Sequence, residues 1–423
     1  MKIKLLLIAL FCSCALFAQE EYARKIVQEL ASKKYYGRGY IFDGDRKAAK
    51  FLISEFKKMG VSTLPSQAYT QDYYLSANTF PKAASLSING KSLGLAVEFL
   101  PDAASPSIAG GFAIQHFVIS SADSTWLKHA LDAEDLKGKF LYIDEQESMK
   151  KLNAEQYKWA VSYLKNEGKQ AGTLINSTQK LKWRSLTYQV NKPVLYTQNQ
   201  ILSTLSTNEL KISVSAKLIP KYKTQNVCGF IKGTGNTDST IVITAHYDHI
   251  GAIGKDVYFP GANDNASGTA MLLALSKHYS ENPPRYDMVF LAFSGEEIGL
   301  LGSTHFAANP LIKLPEIKFL LNLDMAGTGD DGIQVVNGSI FKSAFNLLVN
   351  LNKEKAYLPQ VLVRGPMNRS DHYPFYEKGV PCFFIYTLGG IDAYHDVYDK
   401  YDTLPFTNFN NYHNLIRDFI NEI

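Results

Sequence analysis

Four short apolar runs in the second half of the chain each give way to residues that bind metals or carry protons. Ile241-Val-Ile-Thr-Ala passes into His246-Tyr-Asp248, and Met288-Val-Phe-Leu-Ala-Phe into Ser294-Gly-Glu296-Glu297. Phe319-Leu-Leu-Asn-Leu stops at Asp324, and Val380-Pro-Cys-Phe-Phe-Ile precedes a loop that holds Tyr394-His395. Between the first two lies Gly261-Ala-Asn-Asp264-Asn-Ala-Ser-Gly268, then an apolar helical run from Ala266 to His278. Imidazole and carboxylate groups brought together form a ligand set that suits zinc, with cobalt or manganese as substitutes. Metal-assisted hydrolysis is the chemistry such a centre supports.

Each residue also has a plainer reading. A histidine after a buried strand is often a hydrogen-bonded core residue; as a ligand, His246 needs a carboxylate on its other ring nitrogen, and Asp248 supplies one if the loop bends that way. Asp264 by itself reads as a helix cap worth about 1 kcal/mol, a task Asn263 or Asn265 performs equally well, while Gly268 permits close backbone approach. Glu296 and Glu297 fit a solvated helix start; equally, adjacent carboxylates point different ways, so one can bind metal while its neighbour handles a proton. Asp324 follows a nearly unbroken apolar stretch, and a buried unpaired carboxylate is costly unless a cation offsets it.

The elements that position these residues follow from the same pattern. Wholly apolar strands alternating with loops and helices after residue 224 predict an α/β fold, a mixed and mostly parallel sheet sandwiched by helices. In such sheets ligands gather at the carboxyl ends of the strands. Residues 21 to 60 read as two helices, the second from Asp45 to Met59 with Gly60 as its stop. From 63 to 215 short alternating runs broken by Gly, Pro, Ser and Asn predict a β-rich inserted module with a helix near 154–167. The expected division is therefore a leader at 1–18, a catalytic domain built from 19–62 and 216–423, and an insert at 63–215.

In order and identity these motifs resemble the co-catalytic zinc aminopeptidases. His246-Tyr-Asp248, the 261–268 loop, Ser294-Gly-Glu296-Glu297-Ile-Gly, Asn322-Leu-Asp324, Ser370-Asp371-His372 and Tyr394-His395 occur in that family's sequence order. The likeness covers about 224–423, with Tyr36-Gly-Arg-Gly and the following helix as its N-terminal piece. It is closest in kind to secreted bacterial leucyl-type aminopeptidases and is similar to the glutamate carboxypeptidases; residues 63–215 resemble a protease-associated module, best at Gly138-Lys-Phe-Leu-Tyr-Ile-Asp144. The resemblance implies two zinc ions per chain. Asp264 would bridge them, His246 and Asp324 would complete one site, and Glu297 and His395 the other. It further implies Glu296 as general base, Asp248 as the partner that orients His246, Tyr394 as an oxyanion donor, and Asp371 and His372 as pocket-forming residues behind the ligands. Asp396, Asp399 and Asp402 crowd the loop after His395, and His372 is the fallback ligand.

Composition sets the boundaries. An apolar share of 46% with 20% charged residues fits a soluble globular chain with a sizeable core. Lys2, Lys4, the apolar run Leu5 to Phe17 and Ala18 before Gln19 read as a secretory signal, too short for a bilayer span, so the expected location is secreted or periplasmic. Cys12 and Cys14 lack the spacing of a lipoprotein signal. The 44 basic residues exceed the 40 acidic ones by a margin that halves without Lys2 and Lys4, so nothing calls for nucleic acid or an anionic membrane. Cys228 and Cys382 lie in apolar runs and read as buried thiols. Gly90-Lys-Ser is no phosphate loop, because position 85 is Ser.

The expected activity is removal of N-terminal residues from peptides. Three alternatives stand beside it: a carboxypeptidase or dipeptidase with the same centre, a one-zinc glutaminyl cyclase, and a non-catalytic receptor. A terminal carboxylate needs an arginine, and Arg364 and Arg369 lie just before Ser370-Asp371-His372.

Overall fold

The computed structural model describes residues 19–198 and 209–423; the expected leader at 1–18 lies outside them. The first sheet contains β1 (Thr70–Thr79), β2 (Lys217–Ile231), β3 (Thr240–His246), β4 (Asp287–Phe293), β5 (Ile317–Leu323), β6 (Ile333–Val336), β7 (Val361–Val363) and β8 (Cys382–Thr387). Their order is β1-β2-β4-β3-β5-β8-β6-β7. The middle strands β4, β3, β5 and β8 run parallel, and antiparallel pairs flank them. These are the apolar runs of the sequence, buried from end to end in β3.

Helices cover both faces. Ile241, Ile243 and Ala245 of β3 pack with α1 (Gly44–Lys58), α2 (Gly268–Glu281), α4 (Lys342–Lys355) and α5 (Phe409–Glu422). Val242, Val289, Leu291 and Leu320 face the other way, against Phe306 of α3 (Leu301–Ala308) and Phe375. Each such fully buried side chain contributes about 1.5–3 kcal/mol. Two-sided burial is what removes the alternation from these strands and makes them read as continuous apolar runs. Cys228 and Cys382 are buried free thiols in the second of these clusters, and burial pushes both up to about 12.

A second sheet has parallel strands Ile108–His116, Phe140–Asp144, Gly172–Asn176 and Val194–Thr197 at its centre. One of its apolar clusters surrounds the helix Ala154–Leu164, and the other also takes in Ile250, Ile253 and Phe259 from the segment after β3. One strand departs from the expected boundary. Although β1 falls inside 63–215, it pairs with β2 from Thr70↔Val227 to Thr79↔Lys217 and so edges the first sheet. Tyr73, Leu75 and Ala77 pack there with Tyr40, Tyr222 and Ile298. Period-2 alternation marks a strand but does not say which sheet it joins.

Candidate metal centre

The carboxyl ends of β3, β4, β5 and β8 lead into one buried cluster. His246 is the last residue of β3, and Asp324 follows β5 directly. Nε2 of His246 lies 3.4 Å from Oδ1 of Asp264 and 3.3 Å from Oδ1 of Asp324. Nε2 of His395 lies 3.0 Å from Oδ2 of the same Asp264 and 3.1 Å from Oε2 of Glu297. Asp264 thus presents one oxygen to each imidazole. Two sets of donor atoms within ion-binding reach of one another emerge: His246 with Glu296 and Asp324, and His246 with Asp264 and Glu297.

The 261–268 loop is built to hold Asp264 still. The side chain that meets the start of α2 is that of Asn265 and not of Asp264, so the capping reading of Asp264 does not apply. Its neighbours fasten the loop to the segment after β5 instead. Asn265 Oδ1 accepts the N–H groups of Gly268 and Met325, both at 2.9 Å. Ser267 Oγ accepts from Ala326 at 2.8 Å, and Asn263 Oδ1 from Gly327 at 3.0 Å. Gly268 is required there, because a Cβ would stand 2.2 Å from Asn265 Oδ1 and 2.4 Å from Leu323 O.

Asp248 plays a different part from the one expected. Nδ1 of His246 is 3.2 Å from the backbone oxygen of Asp248 but 3.8 Å from its carboxylate. The carboxylate turns toward the Glu296-Glu297 turn, accepting the Tyr40 hydroxyl at 2.7 Å and the N–H groups of Glu296 and Glu297 at 3.3 and 3.4 Å. In the Ser370-Asp371-His372 signature, Ser370 makes the contact: its hydroxyl donates to Asp324 Oδ2 at 2.7 Å. Asp371 is fully buried, and burial raises it to about 7 against the pull of His246. His372 packs on Phe384, ring centroids 5.3 Å apart, and burial lowers it to about 4. Neither His372 nor His395 is among the grouped donors, but it is His395 whose Nε2 lies against Asp264 and Glu297.

Three supporting residues carry no role in the sequence reading: His249, Arg38 and Asp399. His249 Nδ1 is 2.6 Å from Glu297 Oε1, so Glu297 meets His395 with one oxygen and His249 with the other. The Arg38 guanidinium is fully buried and donates to the backbone oxygens of Leu30, Tyr247, Pro260, Gly261 and Asp264. Asp399 accepts the N–H groups of Asn263 and Asp264 at 2.8 and 2.9 Å. Signals for two of them exist, in a histidine three residues after His246 and in the Tyr36-Gly-Arg-Gly motif.

Charge is tightly packed here. Burial works against a charged His395, but Glu297 and Asp264 outweigh it and lift it to about 11. Burial raises Asp264 as well, yet His246 and His395 hold it well below the usual carboxylate range. Glu296 goes the other way: burial lifts its carboxyl, His246 opposes, and Glu297, Asp324 and Asp371 add to the rise. A cleft of about 240 Å³ opens onto the cluster, walled by Met325, Met367, Phe384, Tyr386, Tyr394 and Arg369. Tyr394 stacks on His395 with ring centroids 4.0 Å apart, and burial raises its phenol.

Residues 226–420 match peptidase family M28. Aminopeptidase YwaD of Bacillus subtilis is 30% identical over 182 residues, 41% of this chain and 38% of that protein. Leucine aminopeptidase 2 of Trichophyton rubrum is 30% identical over 192 residues, 42% of this chain and 37% of that one. The chain therefore spans well under half the length of these curated relatives in the matched region. Among solved structures, BSAP, a zinc aminopeptidase from Bacillus subtilis, superposes with a TM-score of 0.69 at 20% identity over 95% of this chain and 94% of its own. An aminopeptidase from Aneurinibacillus sp. strain AM-1 gives 0.62 at 20% identity over 95% and 92%. At such identities the superpositions show a shared fold. The ordered motifs, the converging donors and the match to peptidase family M28 all fall within residues 226–420.

Proposed function

We propose that this chain is a two-zinc exopeptidase that releases residues from the amino end of peptides. One observation carries the reading: at His246 and again at His395, two carboxylate oxygens from different segments converge on a single imidazole nitrogen, with Asp264 common to both. An imidazole nitrogen offers at most one proton and cannot satisfy two carboxylates, whereas a cation can. The nitrogen and oxygen donors suit zinc, and two positive ions offset a buried group of acids that is otherwise costly. His246, Asp264 and Asp324 would hold one ion, and Asp264, Glu297 and His395 the other. Bound there, zinc supplies a Lewis acid for the scissile carbonyl and lowers the pKa of a bound water.

The chain's own groups do the rest. Glu296, as the carboxylate, takes a proton from the attacking water and returns it to the leaving amine, and burial strengthens it as a base. Tyr394 keeps its phenolic proton and donates it toward the developing oxyanion from the cleft wall. The apolar walls Met325, Met367 and Phe384 receive the side chain of the terminal residue. The shared Asp264 favours two ions over the single ion of a glutaminyl cyclase. The leader-like residues 1–18 support a secreted or periplasmic location, and among the described residues no helix is long and apolar enough to cross a membrane.

A second reading has its own support. Arg369 lines the cleft, and Arg364 donates to the hydroxyl of Tyr386, a wall residue, at 2.8 Å. A guanidinium in that position can pair with a terminal carboxylate, as a carboxypeptidase or dipeptidase requires.

The deciding experiment is a parallel panel of leucyl- and alanyl-anilides, N-blocked peptides with free carboxyl ends, and a glutaminyl substrate, each with and without chelator, alongside zinc content per chain. Chelator-sensitive cleavage of the unblocked anilides with about two zinc per chain is expected. Activity confined to blocked peptides would move the reading to carboxypeptidase, and cyclisation with one zinc to the cyclase. Silence with no bound metal would overturn it.

A further inference from the structure

His395 sits in a loop with no regular structure of its own between Thr387 and Tyr401, and its backbone adopts a left-handed φ of 55°. A residue in that region needs its surroundings to hold it there. Much of that support comes from outside the catalytic domain. After the strand Gly172–Asn176, residues 177–193 of the insert form neither helix nor strand before the chain re-enters the second sheet at Val194. On the way they meet the loop that carries His395.

Several contacts there are specific. The backbone N–H of Trp183 donates to the carbonyl of His395 itself at 2.8 Å. The Trp183 indole is buried; its Nε1 donates to Ile250 O at 2.9 Å, and its ring stacks on Phe259 at 5.7 Å with an interplanar angle of 6°. Ile250 lies just beyond His246-Tyr-Asp248-His249, and Phe259 just before the 261–268 loop. Trp183 is therefore wedged among the segments that deliver His246, Asp264 and His395. On the loop's far side, the Lys180 ammonium pairs with the buried carboxylate of Asp396, next to His395, and also reaches Asp392 O at 3.3 Å. Asp396 in turn accepts the Tyr398 N–H at 2.7 Å and the Tyr394 N–H at 3.3 Å. Lys182 lies over the Tyr394 ring at 5.1 Å.

We propose that Lys180 of the insert, acting through Asp396, is a positioning residue for His395, so that the zinc held by His395 and Glu297 depends on this contact, whereas the one held by His246 and Asp324 does not. This rests on the two-zinc reading above. Fixing a ligand's orientation through the groups behind it is typically worth 10- to 100-fold in metal affinity. The dependence is selective because both partners of the Lys180 ammonium, Asp396 and the Asp392 carbonyl, lie in the His395 loop.

The test is zinc per chain across a graded chelator series, with unfolding temperature of the metal-free protein measured in parallel. The variants are Lys180→Ala, Lys180→Arg, Asp396→Asn and Trp183→Phe. For the parent, two zinc per chain are expected to persist to high chelator. Lys180→Ala and Asp396→Asn should release one zinc at about 10- to 100-fold lower chelator activity and keep the second as the parent does, and Lys180→Arg should restore the first. Trp183→Phe keeps the stacking and the backbone donor, so it should fall between. Unchanged release curves for Lys180→Ala and Asp396→Asn would overturn the proposal. So would simultaneous loss of both ions together with a matching fall in metal-free unfolding temperature, which marks plain destabilisation. A parent that binds no zinc would remove the two-zinc reading itself, and this proposal with it.

Discussion

The hydroxyl of Tyr40 donates to Oδ2 of Asp248 at 2.7 Å and accepts the backbone N–H of Gly295 at the same distance. The phenol therefore joins the loop after β3 to the turn that carries Glu296 and Glu297. Tyr40, Asp248 and Gly295 are all buried, so none can turn to water instead. Tyr40→Phe removes one donor from the Asp248 carboxylate and orphans the Gly295 amide. A buried group left without its partner costs about 1–3 kcal/mol. The expected outcome is a loss of that size in chemical denaturation, with zinc content unchanged and kcat reduced because the Glu296 turn is loosened. A variant that lost stability but kept full kcat would show that Glu296 is placed without Tyr40.

Glu296 differs from the ligands in how its removal should read out. Glu296→Gln preserves shape and leaves the paired oxygens around His246 and His395 untouched. Zinc per chain should stay at the parent level while kcat falls about 10²–10⁴-fold, with KM little altered. The ratio of the two effects is the diagnostic. A comparable loss of zinc would assign Glu296 to the ligand set, alongside His246 and Asp324, with which its carboxylate is already grouped.

Much of the site is legible in the amino-acid sequence alone, and the reason is local. Each of His246, Glu296, Glu297 and Asp324 follows a strand that two-sided burial makes unmistakably apolar, so strand and ligand are read from the same few residues. Arg38 is not legible in that way. Its role consists of backbone carbonyls contributed by residues 209 to 226 positions later, for Tyr247, Pro260, Gly261 and Asp264, and backbone atoms carry no sequence signature. The same holds for Asp248: only the bend of its loop decides that the backbone oxygen, and not the carboxylate, meets His246. The edge strand β1 falls on the wrong side of the expected domain boundary because alternation is equally compatible with either sheet. Residue chemistry can be read along the chain; long-range placement cannot.

Arg38 yields a sharp prediction for the same reason. Arg38→Lys retains the charge but cannot reproduce a planar fork that serves several carbonyls at once. Arg38→Met removes every donor and leaves those carbonyls buried without partners. The penalty for breaking such an arrangement is about 3–5 kcal/mol, or roughly 2–4 °C of unfolding temperature per kcal/mol in a domain of about 150–250 residues. Both variants should fall well below the parent in a thermal melt, Met further than Lys. Zinc should be held less tightly in both, since the Asp264 loop loses its anchor. Retention of the parent melting temperature by Arg38→Lys would mean that charge alone suffices.

Acid sensitivity has a source outside the proposed ligand set. His413 on α5 is fully buried, and burial, with His278 and Arg417 adding to it, lowers its pKa to about 3. The unfolded chain binds a proton on this residue near pH 6.5, whereas the folded chain resists it down to about 3. Between those values the unfolded state carries more protons, so stability rises with pH. The contribution of His413 is thus complete above about pH 6.5 and shrinks as pH falls toward 3, by an amount of the order of 4 kcal/mol. Replacing it with Leu, which has no proton to gain, should flatten the acid limb of a stability-versus-pH curve measured by denaturant unfolding of the metal-loaded protein. The two curves should diverge progressively below pH 6.5 and run parallel above it. Parallel curves throughout would show that His413 takes up its proton in the folded protein as readily as in the unfolded chain, with His278 turning to accommodate it.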